Sequence, residues 1–314
     1  MKNLQKKKIA MKFKMNLTKE NRAIIVSLIL LALTIFFYVS ENQKKIEMLK
    51  QQELGKQQVL SEIKSKIDGL GFLANAVSVY DIENEKEIYG RNSKIKMPLA
   101  SLVKTMTVIT AFENNSEDLI KIKETYLKEE GDSGLVIDEI WNIEDLAKFT
   151  LILSSNDGAL ALTREDPYFL KKMNEKAREI GMSNTTFSNV TGLDIFNNKA
   201  GVYGTAFDAN IMAIYALKKY PNIFEATIWP DLRLKSETGY THDIKNTNQI
   251  IKQIPQIMFS KTGFTLLAGG NLTVIFKNAY THEIAVTILG SSMTGRFTDM
   301  EKIVNFLYTY NYEI

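Results

Sequence analysis

The sequence predicts a mixed α+β fold. Near the C-terminus, 271–276 and 283–289 are rich in β-branched and apolar residues and are separated by a polar turn, which is typical of two strands. The segments 101–114 and 145–163 have the length and composition of helices. The chain has 314 residues, and about 245 of them follow the N-terminal segments described next, enough for one large domain or two closely packed subdomains.

The N-terminus combines a basic segment with an apolar one. Seven lysines and Arg22 against Glu20 give the first 22 residues a charge of +7. Residues 23–40 carry no charge and are long enough to cross most of a bilayer as a helix. We predict a cytoplasmic tail, 1–22, and a transmembrane anchor, 23–40, with the remainder outside the cytoplasmic membrane by the positive-inside rule. A cleaved signal peptide is the alternative, although 39–43 lack a small-x-small cleavage pattern.

The charge distribution argues against a nucleic-acid partner. The whole chain has a formal charge of +3, so removing the +7 of the first 22 residues leaves −4 for the rest. The basic isoelectric point therefore reflects the tail and is a signal for membrane topology. We predict no nucleic-acid binding.

A polar segment, 41–69, lies between the anchor and the folded domain that we predict over 70–314. It is dense in Lys, Gln and Glu and contains a thin series of apolar residues, Ile46, Leu49, Leu54, Val59 and Ile63. We predict a helical stalk. The apolar series could pair two copies in a coiled coil, but it is irregular and Gly55 interrupts it, so a simple spacer is favoured.

Ser101 and Lys104 form the first candidate catalytic motif. Residues three apart on a helix share a face, so the Lys104 amine can reach the Ser101 hydroxyl. A lysine can act as a base only where burial or a neighbouring cation disfavours its charge, and Lys261 is the candidate neighbour. Alone, this spacing is a weak signal in a lysine-rich chain, where an exposed helix face is the simpler interpretation.

Two further motifs follow in the chain, Ser154-Ser-Asn156 and Lys261-Thr-Gly263. The first is also typical of turns and helix caps, and the second of a strand that ends in a turn. In this order, however, the three motifs supply a nucleophile, a base and a site for a carboxylate. The combination is therefore more specific than any one motif.

Cysteine and histidine usage excludes several other chemistries. The chain has no cysteine, which excludes disulfides, a thiol nucleophile and cysteine metal sites. Its two histidines, His242 and His282, have no metal-ligand spacing, and we expect surface or hydrogen-bonded roles for them. We predict no metal and no cofactor, and a Ser-His-Asp triad is not needed because Lys104 can serve as the base.

With their surroundings, the motifs resemble a known enzyme family. From about Ala74 to the C-terminus the chain is similar to the serine D-alanyl-D-alanine carboxypeptidases, the low-molecular-mass penicillin-binding proteins, among the penicillin-recognising enzymes. The further matching segments are 76–81, 87–89, 98–104, 141–146, 169–194 and 260–269. The resemblance implies a β-lactamase/transpeptidase-like fold, with an antiparallel sheet of about five strands from both chain ends, flanking helices and an all-helical subdomain.

The resemblance also implies catalytic roles. Ser101 would attack the carbonyl of a D-alanyl-D-alanine peptide to form an acyl-enzyme, and Lys104 would take its proton. Ser154 would relay a proton toward the leaving nitrogen, and Asn156 would hydrogen-bond the peptide backbone. Lys261 completes the predicted catalytic set.

The predicted substrate-binding residues are Thr262, Gly263, Phe264 and Arg296. The backbone N–H groups of Ser101 and Phe264 would form an oxyanion hole, and Gly263 would let substrate lie close to its strand. Lys261, Thr262 and Arg296 would hold the terminal carboxylate. The alternative for Arg296 is a surface residue that caps a terminal helix, predicted over 298–310.

Some positions depart from the family pattern. Ser155 stands where glycine is common, a change that should be tolerated. Val190-Thr191 replaces a common Pro-His pair, which puts the shape of that loop in doubt. We also expect no second β-rich domain after the terminal helix.

We therefore predict a membrane-anchored D,D-carboxypeptidase that trims peptidoglycan stem peptides ending in D-Ala-D-Ala and is inhibited by β-lactams. The same acyl-enzyme could serve a transpeptidase or an endopeptidase. A β-lactamase would need a carboxylate over the ester; Glu165 and Asp166 are present, but a Glu-x-x-Leu-Asn pattern is not. A non-catalytic cell-wall adaptor and a signal peptidase are the remaining alternatives. The intact motifs argue against the first, and the helical spacing with Lys-Thr-Gly argues against the second.

Overall fold

A computed structural model describes residues 18–114, 119–128, 130–131 and 134–312. The chain divides into two compact units, one that ends at Gln58 and one that begins at Val59. Of the predicted basic tail, 1–22, all but the last five residues lie outside the described ranges.

Helix α1, Lys19–Asp68, covers both the predicted anchor and almost all of the predicted stalk. It contains an 18-residue window that is apolar enough to cross a membrane and has no buried residues. This fits a single-pass anchor. The helix continues past Gln58, and in the second unit its residues Ile63 and Ile67 are completely buried. The last turns of the helix are thus part of the second unit's core.

The second unit contains the remaining elements. Its helices are α2 (Lys104–Asn114), α3 (Ile143–Leu153), α4 (Asn156–Thr163), α5 (Phe169–Glu179), α6 (Ala206–Lys219), α7 (Pro221–Phe224) and α8 (Gly295–Thr309). Its strands are β1 (Ala76–Asp81), β2 (Lys86–Arg91), β3 (Met97–Pro98), β4 (Leu119–Lys121), β5 (Ile140–Asn142), β6 (Thr186–Phe187), β7 (Asp194–Phe196), β8 (Lys199–Ala200), β9 (Val202–Gly204), β10 (Asp231–Lys235), β11 (Thr241–Lys245), β12 (Ile257–Thr265), β13 (Gly269–Lys277) and β14 (Glu283–Ser291).

The main sheet has five antiparallel strands in the order β12-β13-β14-β1-β2. Val286 of β14 pairs with Val274 on one side and with Val79 on the other, so strands from both ends of the domain meet in its centre. This confirms the predicted α+β fold with its antiparallel sheet. It also leaves β12, which carries the third motif, at an edge of the sheet, and among the described residues no strand pairs with its outer side.

The two faces of the sheet bury separate cores because successive strand residues point to opposite sides. Val274 and Val286 face the end of α1 and helix α8, in one cluster with Ile67 and Ile303. Ile275 and its neighbours on the opposite face belong to the larger cluster, which includes residues of α2, α3 and α6. The sheet is therefore covered on both sides, and the larger cluster supports the helices that carry the first two motifs.

The predicted continuous helix over 145–163 is wrong. The structure has two helices, α3 and α4, and Ser154 between them adopts a left-handed conformation with φ of 63°. Ser155 then begins the second helix, because its hydroxyl accepts a hydrogen bond from the Gly158 backbone N–H at 2.9 Å. The polar run 154–158 separates the apolar residues of the two helices and is a turn and helix-cap signal, so the sequence contains the information for this break.

The other helix predictions differ only at their ends. Residues Ala100–Val103 form a short 3₁₀ helix, and the α-helical geometry of α2 begins at Lys104. The predicted terminal helix over 298–310 is present as α8, which begins three residues earlier. The predicted all-helical subdomain is a mainly helical region with short strand pairs such as β4 and β5.

Candidate active site

Ser101 and Lys104 lie where the 3₁₀ helix joins α2, and their side chains are in contact. The Lys104 Nζ is 2.8 Å from the Ser101 Oγ. Lys104 is completely buried, whereas Ser101 is partly exposed. The hydroxyl is therefore accessible from solvent, while the amine behind it is shielded from water.

Two further contacts fix the Lys104 amine. Its Nζ donates to the Asn156 Oδ1 and to the Thr191 carbonyl, each at 2.7 Å. The other end of the Asn156 amide donates to the Glu130 carbonyl at 2.6 Å. The contact from Thr191 is through its backbone, so this loop can support Lys104 although its side chains depart from the family pattern.

Lys261, on β12, connects the second motif to the third. Its Nζ donates to the Ser154 Oγ and to the Thr262 carbonyl, both at 2.9 Å. The left-handed turn at Ser154 points its hydroxyl toward this edge strand, which a continuous helix would not do. Side chains of the three motifs, widely separated in sequence, thus form one cluster.

The electrostatics of the cluster disfavour the charge of Lys261. Burial lowers the pKa of the Lys261 amine well below its ordinary value, and the nearby positive charges of Lys104 and Arg296 lower it further. Burial also lowers the pKa of the Arg296 guanidinium. A carboxylate that entered the cluster would reverse this effect, because a negative charge favours a protonated amine.

This environment predicts a pH-dependent stability. Because the pKa of Lys261 in the folded chain is below its ordinary value of 10.5, the unfolded chain binds the additional proton between those two pKa values. Stability relative to a Lys261→Met variant should therefore rise with pH through that window, by up to about 1 kcal/mol per pH unit, and should be constant below it. Denaturant unfolding of both proteins across this range measures the difference. Parallel pH curves would contradict the burial argument.

Arg296 is buried, with 7% of its surface exposed, so the alternative of a surface residue is wrong. One guanidinium nitrogen donates to the Gly263 carbonyl at 2.7 Å. A Cβ atom on Gly263 would lie 2.9 Å from the Leu99 carbonyl oxygen and 3.2 Å from the Ser101 backbone nitrogen. The missing side chain therefore allows β12 to pack directly against the backbone of the nucleophile segment.

A cleft of about 830 Å³ extends from this cluster. Asn156 and Phe264 line it, together with the loop 193–197 and the turn 265–267. Phe264 is 39% exposed and thus presents an apolar surface at the entrance. Asn156 also contacts Lys104, so a molecule in the cleft would lie next to the cluster.

Gly192 is a site residue to which the sequence motifs assign no role. It has φ of +84°, and a Cβ atom there would lie 2.1 Å from the Ala100 carbonyl oxygen. Ala100 is itself left-handed, with φ of 50°, and it precedes Ser101. The glycine thus allows the loop to hold the backbone of the nucleophile in an unusual conformation.

Gly192→Ala should reduce the rate at which a penicillin acylates the protein by about 100-fold, because the clash moves the backbone next to the nucleophile. Stopped-flow or gel-based acylation measures this. Gly239→Ala is the matched control. Gly239 also has a positive φ, +96°, but no atom lies within 4 Å of the Cβ position. The only expected effect of this control substitution is therefore the backbone strain of an alanine at positive φ, without a clash. Equal acylation rates for the two variants would contradict the clash argument.

The other titratable residues considered from the sequence make hydrogen bonds outside the catalytic cluster. His242 is 2.6 Å from the Glu139 carboxylate, a hydrogen-bonded role as expected. Glu165 binds the side chains of Lys123 and Thr125. Among the described residues there is no group of three or more His, Cys, Asp or Glu side chains that could hold a metal ion.

Comparison with known proteins supports one family assignment for this chain. A family model described as D-alanyl-D-alanine carboxypeptidase matches residues 65–292. The chain is 30% identical over 247 residues to D-alanyl-D-alanine carboxypeptidase DacF of Bacillus subtilis, covering 75% of this chain and 62% of that protein. It is also 30% identical over 206 residues to a D-alanyl-D-alanine endopeptidase of Escherichia coli, covering 62% of this chain and 64% of the relative. The matches thus span less than two thirds of the length of these two relatives.

Solved structures show the same fold. Penicillin-binding protein D2 of Listeria monocytogenes, in its ampicillin-bound form, has a TM-score of 0.65 and 27% identity, covering 76% of this chain and 98% of that one. A D-alanyl-D-alanine carboxypeptidase of Mycobacterium tuberculosis has a TM-score of 0.69 and 19% identity, covering 77% and 93% of the two chains. The compact unit of this chain therefore has a penicillin-binding-protein fold.

Proposed function

The chain belongs to the D-alanyl-D-alanine carboxypeptidase family, and on this basis we propose that it is a serine D,D-carboxypeptidase that removes the terminal D-alanine from peptidoglycan stem peptides. The observation that carries the proposal is the 2.8 Å contact between Ser101 and a completely buried Lys104. A serine needs a neighbouring base to become a nucleophile, and burial makes a lysine suitable for that role.

The first half of the reaction is acylation. The Ser101 oxygen attacks the carbonyl of the penultimate D-alanine, and its proton passes to Lys104. The backbone N–H groups of Ser101 and Phe264 stabilise the negative charge on the carbonyl oxygen. When the peptide bond breaks, Ser154 passes its hydroxyl proton to the leaving nitrogen and takes back the proton that Lys104 received from Ser101, so Lys104 is neutral again and D-alanine departs. Water then hydrolyses the ester, and Ser101 regains its proton.

The terminal carboxylate binds at the third motif. Thr262 supplies a hydroxyl, and the negative charge of the carboxylate favours the protonated form of the Lys261 amine. Arg296 adds a buried positive charge behind the Gly263 carbonyl to which it is bonded at 2.7 Å. Three groups of this kind favour a substrate with a free carboxyl terminus over one with an amide.

The rest of the peptide lies in the 830 Å³ cleft. Its backbone adds along β12, which forms an edge of the five-stranded sheet. Asn156 hydrogen-bonds the peptide with its side-chain nitrogen, the same atom that donates to the Glu130 carbonyl in the structure. A β-lactam with a carboxylate next to its strained amide meets the same groups and acylates Ser101.

The site acts outside the cytoplasmic membrane. The uncharged segment 23–40 of α1 spans the bilayer, and the +7 charge of the first 22 residues keeps the N-terminus inside. The catalytic domain then faces the peptidoglycan. Blocking accessible lysines from outside intact cells, followed by mass spectrometry, should modify the catalytic domain and leave the tail unmodified.

Product analysis tests the activity. The detergent-solubilised chain should release one D-alanine from a synthetic pentapeptide ending in D-Ala-D-Ala and should form a long-lived adduct with penicillin. An endopeptidase is the second candidate, because the Escherichia coli relative carries that name. Cleavage of a cross-linked stem-peptide dimer faster than the pentapeptide would favour it. If the chain released no D-alanine and also formed no adduct with penicillin, the enzyme assignment would be overturned.

A further inference from the structure

The segment 246–248, between β11 and β12, connects the second and third motifs by hydrogen bonds that the proposed mechanism does not use. On one side, the Thr247 backbone N–H donates to the Ile152 carbonyl at 3.2 Å. Ile152 is two residues before Ser154, in the last turn of α3. The backbone of Thr247 is therefore held at the end of the helix that delivers the Ser154 hydroxyl.

On its other side, the segment is bonded to β12. The Asn248 side-chain nitrogen donates to the Ser260 hydroxyl at 2.8 Å, and both residues are buried. Ser260 directly precedes Lys261. Asn246 anchors the same segment through its amide, which donates to the Thr227 carbonyl at 2.8 Å. Thr247 is therefore held from three sides, and its side-chain position is set by the fold.

The side chain of Thr247 lies against the third motif. Its Oγ1 is 2.5 Å from the Thr262 Oγ1, a hydrogen bond between two hydroxyl groups. Thr262 is 3% exposed, whereas Thr247 is partly exposed at the same place. The direction in which the Thr262 hydroxyl points its proton therefore depends on which of the two threonines donates in this hydrogen bond.

A carboxylate only accepts hydrogen bonds, so the Thr262 hydroxyl must donate to it. The bond between the two threonines must then run from Thr247 to Thr262, with the Thr262 oxygen as the acceptor. Successive hydrogen bonds in such a series polarise one another, which makes the last hydroxyl a stronger donor. We propose that Thr247 is a positioning residue for substrate recognition: it donates to Thr262 and directs the Thr262 proton to the terminal carboxylate.

The proposal rests on the proposed function, since the carboxylate in question is the terminus of the stem peptide. It predicts an effect on binding and not on chemistry, because the carboxylate is held in both the ground state and the transition state. Thr247→Val isolates the effect. Valine keeps the branched shape and the backbone N–H to Ile152 but removes the hydroxyl.

The test measures kcat and KM for the full chain with a D-Ala-D-Ala pentapeptide and with its C-terminal amide. For Thr247→Val we expect KM for the free acid to rise about tenfold, on the scale of one hydrogen bond to a charged group, with kcat within twofold of the parent. The kcat/KM for the amide should be unchanged. Thr247→Ser, which keeps a hydroxyl, should restore KM to within about threefold of the parent.

Three results would overturn the proposal: an unchanged KM in Thr247→Val, a fall in kcat at constant KM, or an equal loss on the acid and the amide. The last would indicate that the segment only braces the two motifs. Thermal unfolding of both variants shows whether they fold, and if Thr247→Val is unfolded, Thr247→Ser alone still tests the role by its KM. Failure of the proposed function is distinguishable, since the parent would then release no D-alanine.

Discussion

Ser101→Ala should form no covalent adduct with a fluorescent penicillin and should release no D-alanine from a pentapeptide. Alanine has no atom that can attack the carbonyl, and removal of a serine nucleophile typically costs 10⁴-fold or more in kcat. The variant should still fold. Lys104 keeps its contacts to Asn156 and Thr191, so the loss of one hydroxyl should cost about 1 kcal/mol of stability.

The experiment compares parent and variant by gel fluorescence after labelling of the detergent-solubilised chain. Ser155→Gly is the matched control, because it removes a neighbouring hydroxyl in the second motif and installs the residue common in the family. Glycine is a nearly equivalent N-cap, so α4 should be little affected and labelling should persist. Labelling of Ser101→Ala at the parent's intensity would remove Ser101 from the proposed mechanism.

The spacing within the first motif predicts the contact between Ser101 and Lys104 that the structure shows. Lys104 follows Ser101 by three residues, and helix geometry then requires their side chains to be close. The contact between Lys261 and Ser154 could not be derived in that way, because 107 positions separate them and only the folded sheet brings them together. The sequence predicts Lys261 as a neighbour of Lys104, and only the structure shows its contact with Ser154.

Contacts made by the backbone could not be predicted. The Thr191 carbonyl accepts from Lys104, and any residue type could supply it. Gly192 has a recognisable signal in principle, since glycine is favoured at positive φ, but nothing local to it indicates that its neighbour is Ala100. The change from Pro-His to Val190-Thr191 therefore has less effect on the site than the side chains suggest.

The fold prediction failed where a functional residue broke a regular pattern. The polar run 154–158 interrupts the apolar pattern of 145–163 and is typical of turns and helix caps, and in the structure the left-handed Ser154 ends α3 and turns its hydroxyl to Lys261. A non-glycine residue in this region of conformational space costs about 1 kcal/mol or more. The surrounding helices and sheet stabilise it, and the site gains a hydroxyl that a straight helix could not place there.

Lys104→Ala should slow acylation by penicillin by 10²- to 10⁴-fold, the usual effect of losing a general base. In its neutral form the amine has two N–H groups and one lone pair. The two N–H groups can donate to the Asn156 Oδ1 and the Thr191 carbonyl, each at 2.7 Å, while the lone pair faces the Ser101 hydroxyl at 2.8 Å. The three neighbours thus orient the lone pair at the proton that must be removed.

The measurement is the acylation rate constant at saturating and subsaturating penicillin, which separates slow chemistry from weak binding. Because Lys104 is completely buried, alanine leaves a cavity beside Ser101. A small amine such as methylamine should enter it and restore part of the rate. Lys96→Ala, which removes an exposed lysine five residues before Ser101, controls for the loss of one positive charge and should acylate at the parent's rate. An unchanged rate in Lys104→Ala would show that another group takes the Ser101 proton.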